Sequence, residues 1–126
     1  MVWELSRILI IEDEPDVQEL FKTVLTGNGF EVFTASSGEE GLSAAIHRKP
    51  DLILLDWVMP GLSGLEICRL LKGREETKKT PILMMSVLNR DVDKKYIFEA
   101  GADAFLVKPF SISQLLTTVD DVLRDS

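Results

Sequence analysis

Three runs of four consecutive apolar residues constrain this chain more than any other feature: Ile8-Leu9-Ile10-Ile11, Leu52-Ile53-Leu54-Leu55 and Ile82-Leu83-Met84-Met85. Each lacks the alternation of polar and apolar residues that marks a half-exposed strand. Each therefore reads as a strand of a parallel sheet covered on both faces. The first run closes on Glu12 and Asp13 and the second on Asp56. In open sheets of this kind, ligands bind beyond the carboxyl ends of the strands. If the first two runs lie side by side, Glu12, Asp13 and Asp56 converge there. Each pair of like charges at about 4 Å would then repel by roughly 4 kcal/mol at an effective dielectric of about 20, so a cation is needed to relieve the site.

The segments between the runs carry helix signals. Pro15 can open a helix whose apolar stripe is Val17, Leu20, Phe21, Val24 and Leu25. Gly27-Asn28-Gly29 tolerates the left-handed backbone of a helix end, and Phe30 to Ala35 reads as a short second strand. Ser37 with Glu40 forms a capping box for a helix bearing Leu42, Ala45 and Ile46, which Pro50 stops. Ser63 with Glu66 opens a helix through Ile67, Leu70 and Leu71 that ends near Gly73, and Ser111 with Gln114 opens a last one with Leu115, Leu116, Val119, Val122 and Leu123. A helix over about Asp91 to Ala100, closed by Gly101, and a fifth strand from Ala104 to Val107 complete the pattern. This is a (βα)5 chain of class α/β, and right-handed crossovers make it a doubly wound parallel sheet with helices on both faces. One domain is expected over residues 1–126.

Composition narrows the function. A net charge of −7, with 45% hydrophobic and 28% charged residues, describes an ordinary soluble chain and argues against direct binding to nucleic acid or a membrane. The single cysteine, Cys68, excludes an internal disulfide and reads as a small buried thiol. The apolar run near the N-terminus is too short for a signal peptide or a membrane span, and a cytoplasmic location is expected. Glu39-Glu40, Lys78-Lys79 and Lys94-Lys95 read as solvated charges, and His47 as a lone exposed histidine near the end of the second helix.

Two further polar residues stand where the later strands end: Ser86 after the fourth, and Lys108, followed by Pro109, after the fifth. Alone, each has an ordinary explanation as a turn residue or an exposed charge. In order, however, Ile-Ile-Glu12-Asp13-Glu14-Pro15, Asp56-Trp57-Val58-Met59-Pro60-Gly61, Met85-Ser86 and Val107-Lys108-Pro109-Phe110 make a specific set. The chain resembles, from about Arg7 to Leu123, the receiver domain of bacterial two-component response regulators, chemotaxis regulators among them. The resemblance, and no derivation, supplies the flavodoxin-like strand order 2-1-3-4-5.

The resemblance implies a phosphorylation-activated switch in a phosphorelay. Asp56 would be the phosphoacceptor, attacking a phosphohistidine to give an acyl phosphate. Mg²⁺, with Mn²⁺ as a substitute, would be held by Asp13, Asp56 and the backbone carbonyl of Val58, with Glu12 holding a metal-bound water in place of the more common aspartate. Lys108 would neutralise the transferring phosphoryl group while Ser86 hydrogen-bonds it, and Pro109 would follow a cis peptide bond that aims the lysine. Such a domain supports its own phosphorylation and autodephosphorylation without being a turnover enzyme. Its partners would be a sensor histidine kinase or phosphotransfer protein and a downstream protein target or effector domain.

Activation would move Ser86 toward the phosphate and turn Phe105, where tyrosine is frequent, inward. Tyr96, Ile97 and Phe98 are consecutive on the fourth helix, about 100° apart, so one of them should be exposed. Lys94, Phe98 and Phe105 are expected to form an α4-β5-α5 surface for a partner or a phosphorylation-dependent homodimer. Val58 and Leu88, apolar at positions that modulate hydrolysis in the family, imply a long-lived aspartyl phosphate.

Other classes fit less well. A haloacid-dehalogenase-type phosphatase needs a second aspartate where Val58 stands, and a Rossmann domain needs a glycine-rich turn where Glu12-Asp13-Glu14-Pro15 stands. The remaining alternative is a receiver-like interaction module that works without phosphorylation, against which the full set Asp13, Asp56, Ser86 and Lys108 argues. Because the chain ends at Leu123-Arg124-Asp125-Ser126, it is expected to be either a stand-alone regulator or the front of a longer one.

Overall fold

Apolar residues facing both ways along β1 (Arg7–Ile11), β3 (Leu52–Asp56) and β4 (Ile82–Ser86) make these the inner strands of the sheet, and every residue of β3 and β4 is buried. The computed structural model describes residues 6–59, 61–87 and 91–125, the side chains of 91–93 excepted. β2 (Glu31–Ala35) and β5 (Ala104–Val107) flank them in the parallel order β2-β1-β3-β4-β5, which is the expected order. Asp56 and Ser86 are themselves the last residues of their strands rather than the first residues beyond them.

Alternation along each inner strand sorts the core into two layers, because successive side chains point to opposite faces. Leu9, Ile11, Ile53, Leu55, Ile82 and Met84 meet α2 (Gly38–Arg48), α3 (Gly64–Lys72) and α4 (Asp91–Glu99), contributing Ala45, Ile67, Cys68, Leu71 and Ile97. Ile8, Ile10, Leu52, Leu54, Leu83 and Met85 meet α1 (Pro15–Gly27) and α5 (Ile112–Arg124), contributing Phe21, Leu25, Leu115 and Val119.

The helix ends follow their local signals in most cases. Pro15 starts α1, and both halves of the capping box form at Ser63–Glu66 and at Ser111–Gln114. Ser37 accepts the Glu40 N–H at 3.1 Å, and only this half of the expected box forms at α2. Gly29 and Gly101 take positive φ, as expected of helix ends. Lys49, at the end of α2, does so too (φ 49°), an unfavourable conformation for a side-chain-bearing residue.

Two expectations about helix faces need correction. Leu20 is 53% exposed, so the buried stripe of α1 is narrower than the sequence suggests; Leu20 lies on the wall of an open groove with Val87, Pro109 and Phe110 rather than in the core. On α4, Tyr96 and Phe98 are both about half exposed and Ile97 alone is buried, because a helix crossing the sheet on one face buries only the central member of three consecutive residues.

Candidate functional site

The register of the sheet assembles the site. Ile11 is level with Leu55 across β1 and β3, which brings Glu12, the next residue, alongside Asp56. Asp56 is level with Met85 on β4, and Ser86 with Val107 on β5, so Lys108 follows directly. Backbone bonds lock these ends: Glu12 N–H to Ala35 O (3.0 Å), Trp57 N–H to Met85 O (2.9 Å) and Lys108 N–H to Ser86 O (2.7 Å).

Carboxylate oxygens of Glu12, Asp13 and Asp56 lie within 4.8 Å of one another. Glu12 and Asp56 are buried and Asp13 is half-buried. The Lys108 ammonium reaches in from β5, 3.4 Å from Asp56 Oδ1 and 3.7 Å from Glu12 Oε2. Among the described residues, Lys108 pairs with two of the three clustered acids. Glu12 Oε1 accepts the Glu14 N–H at 3.3 Å, while Oε2 is buried with no hydrogen-bond partner. Burial first, then the neighbouring Asp56, pushes the Glu12 carboxyl up to about 7 against the pull of Lys108. Three hard oxygen donors, a surplus of negative charge and an orphaned buried oxygen fit a divalent cation bound through oxygen.

The remaining expected residues fall in two places. Ser86 is buried at the site and Val58 lies two residues beyond Asp56 with its side chain exposed. The Lys108-Pro109 peptide bond is cis, as expected. Phe105 is half-buried on β5 against the α4 side of the core, while Lys94 and Phe98 are exposed on α4 and are not among the clustered site residues. Leu88 lies outside the described residues.

The sequence reading missed Gly64. It opens α3 with its N–H on Trp57 O at 2.8 Å, and a Cβ there would stand 2.6 Å from Trp57 Cα and closer still to Asp56 O. A glycine following a capping serine was a weak signal, since nothing local says what approaches it.

The model of the response regulator receiver domain family matches residues 8–120. The chain belongs to this family. This receiver domain is 39% identical over 120 residues to the phosphate regulon transcriptional regulatory protein PhoB of Rhizobium meliloti, covering 95% of the chain and 53% of that protein. It spans about half the length of the curated relatives it matches. Among solved structures, the chemotaxis protein CheY4 of Vibrio cholerae superposes with a TM-score of 0.90 at 31% identity, covering 94% of the receiver domain and 99% of that chain. The receiver domain of a sensor histidine kinase from Pseudomonas aeruginosa, solved with a magnesium ion coordinated in its active site cleft, has a TM-score of 0.87 at 25% identity and covers 96% and 99%. Among the described residues, no helix is long and apolar enough to cross a membrane.

Proposed function

We propose that the chain, a single receiver domain over residues 1–126, accepts a phosphoryl group on Asp56 from a sensor histidine kinase or phosphotransfer protein and signals through the change that follows. The observation that carries the reading is the placement of Asp56: a buried strand-end carboxylate, flanked by two further acids and 3.4 Å from the Lys108 ammonium. An Asp56 oxygen attacks the phosphorus, the bond from phosphorus to the donor histidine nitrogen breaks, and an acyl phosphate remains. Lys108, now held between Asp56 and Glu12, turns its charge to the phosphoryl oxygens, and the Ser86 hydroxyl donates to them. In autodephosphorylation an in-line water would attack the phosphorus, breaking its bond to the Asp56 oxygen, restoring the carboxylate and releasing inorganic phosphate.

Mg²⁺ is the ion these donors suit, through Asp13, Asp56 and the Val58 backbone carbonyl, with Glu12 acting through a water; when bound it neutralises the acids and the incoming phosphate. The magnesium in the Pseudomonas aeruginosa domain supports this assignment. Beside Lys108, an apolar groove lined by Val17, Leu20, Phe21, Val87, Pro109 and Phe110 offers the phosphodonor a face on which to sit. On the far side, Lys94, Phe98 and Phe105 are the proposed surface for a downstream target, an attached effector domain or a second copy.

Intact mass after incubation with Mg²⁺ and acetyl phosphate, run beside Asp56→Ala, tests the reading. One added phosphate in the parent and none in the variant is the expected result. No Mg²⁺-dependent phosphate, under conditions that label another receiver domain, would overturn it in favour of a phosphorylation-independent interaction module.

A further inference from the structure

Two of the site's three acids, Glu12 and Asp13, stand on the short segment between β1 and α1, which their mutual repulsion and that of Asp56 tend to spread. Besides the backbone bonds there, one side chain ties it to its neighbours. The Gln18 side-chain amide donates to Glu12 O at 3.0 Å, to Ala35 O at 3.3 Å and to Ser36 Oγ at 3.4 Å. Its backbone N–H donates to Glu14 O at 3.0 Å. Gln18 therefore grips the residues on both sides of Asp13, from the first turn of α1. Ala35 O, at the end of β2, also accepts the Glu12 N–H, which closes a small ring of bonds from β2 through β1 to α1. Two carbonyl oxygens face the amide and carbonyls only accept, so a side chain without a hydrogen-bond donor cannot replace it.

We propose that Gln18 is a positioning residue for the acidic site, its side-chain amide keeping the Glu12 carbonyl, and with it Glu12 and Asp13, in the arrangement that binds the divalent cation. The inference rests on the proposed Mg²⁺-dependent function and adds a residue that touches neither ion nor phosphate. Through Ala35 and Ser36 it also ties the site to the segment that leads into α2.

Two variants separate positioning from mere stability. Gln18→Met keeps length and bulk but loses the donors. Asn28→Ala removes the 2.8 Å bond from Asn28 Nδ2 to Val24 O at the other end of the same helix, far from the acids. Mg²⁺ titration by calorimetry, amide hydrogen exchange of residues 12–14 without metal, and thermal melts would be compared. Gln18→Met is expected to raise the Mg²⁺ Kd about tenfold, the lower end of what support of a metal site usually contributes, and to speed exchange at residues 12–14. Asn28→Ala is expected to lower the melting temperature with Kd and exchange at the site unchanged. An unchanged Kd in Gln18→Met, or an equal rise in Asn28→Ala, would overturn the positioning role. Should Gln18→Met not fold, exchange on the parent decides: amides 12–14 must be protected without metal, and unprotected amides would sink the idea. A parent chain that binds no Mg²⁺ would instead count against the proposed function itself.

Discussion

The two oxygens of Glu12 meet different surroundings, and the difference has a consequence in pH. Its carboxyl is raised to about 7 from an ordinary value near 4.5, so the folded chain holds this proton more tightly than the unfolded chain does. Stability from this group is present below pH 4.5 and declines as pH rises from about 4.5 through about 7. The metal-free melting temperature is therefore expected to fall across that window. Glu12→Gln should flatten this part of the profile, and Mg²⁺ should raise the melting temperature most at neutral pH, where the ion replaces the proton. Melts at several pH values, with and without Mg²⁺, check all three. Cys68 carries the opposite lesson: burial pushes its thiol up to about 11, so alkylation is expected only after unfolding, and labelling of the native chain by iodoacetamide at pH 8 would contradict it. Sequence position alone located both residues correctly, since strand ends and apolar helix faces are local patterns. It warned of the repulsion from Asp56 but not of the burial that is the larger cause of the raised Glu12 carboxyl, because burial depends on what other segments cover.

The turn from β3 into α3 shows how an element is placed by what it must avoid. The Ser63–Glu66 box is local and legible, but Gly64 matters because its missing side chain lets α3 press against the backbone of Asp56 and Trp57. Gly64→Ala is expected to destabilise the domain by about 1–3 kcal/mol through overpacking and to slow phosphorylation by acetyl phosphate, since the obstructed backbone belongs to Asp56. Denaturant melts and phosphorylation kinetics would measure the two effects. At the end of α2 the element is imperfect: Lys49 adopts the left-handed conformation that glycine supplies more cheaply. Lys49→Gly is expected to stabilise the domain by a few tenths to about 1 kcal/mol, the relief of left-handed strain less the entropy of an added glycine.

For the molecule as a whole, burial and exposure separate stability from signalling. Leu54, fully buried on the central strand, is expected to cost about 3–5 kcal/mol on truncation to alanine. Phe98→Ala, at a half-exposed position, should leave stability within about 0.5 kcal/mol. The same variant should weaken partner binding or self-association of the phosphorylated form, and unchanged association would remove Phe98 from the proposed surface. The sequence by itself determined the five strand–helix units, the helix caps and the four strand ends that bear Glu12–Asp13, Asp56, Ser86 and Lys108, because hydrophobic periodicity and capping act over a few residues. Only the tertiary structure decided how much of each apolar helix face is covered, that Leu20 and Tyr96 stay half in solvent, that Gln18 and Gly64 pack around the site, and that Lys108 stands against Glu12 and Asp56. Those outcomes depend on the register and packing of segments far apart in the chain, where the energy of a contact belongs to pairs of residues that no local pattern brings together.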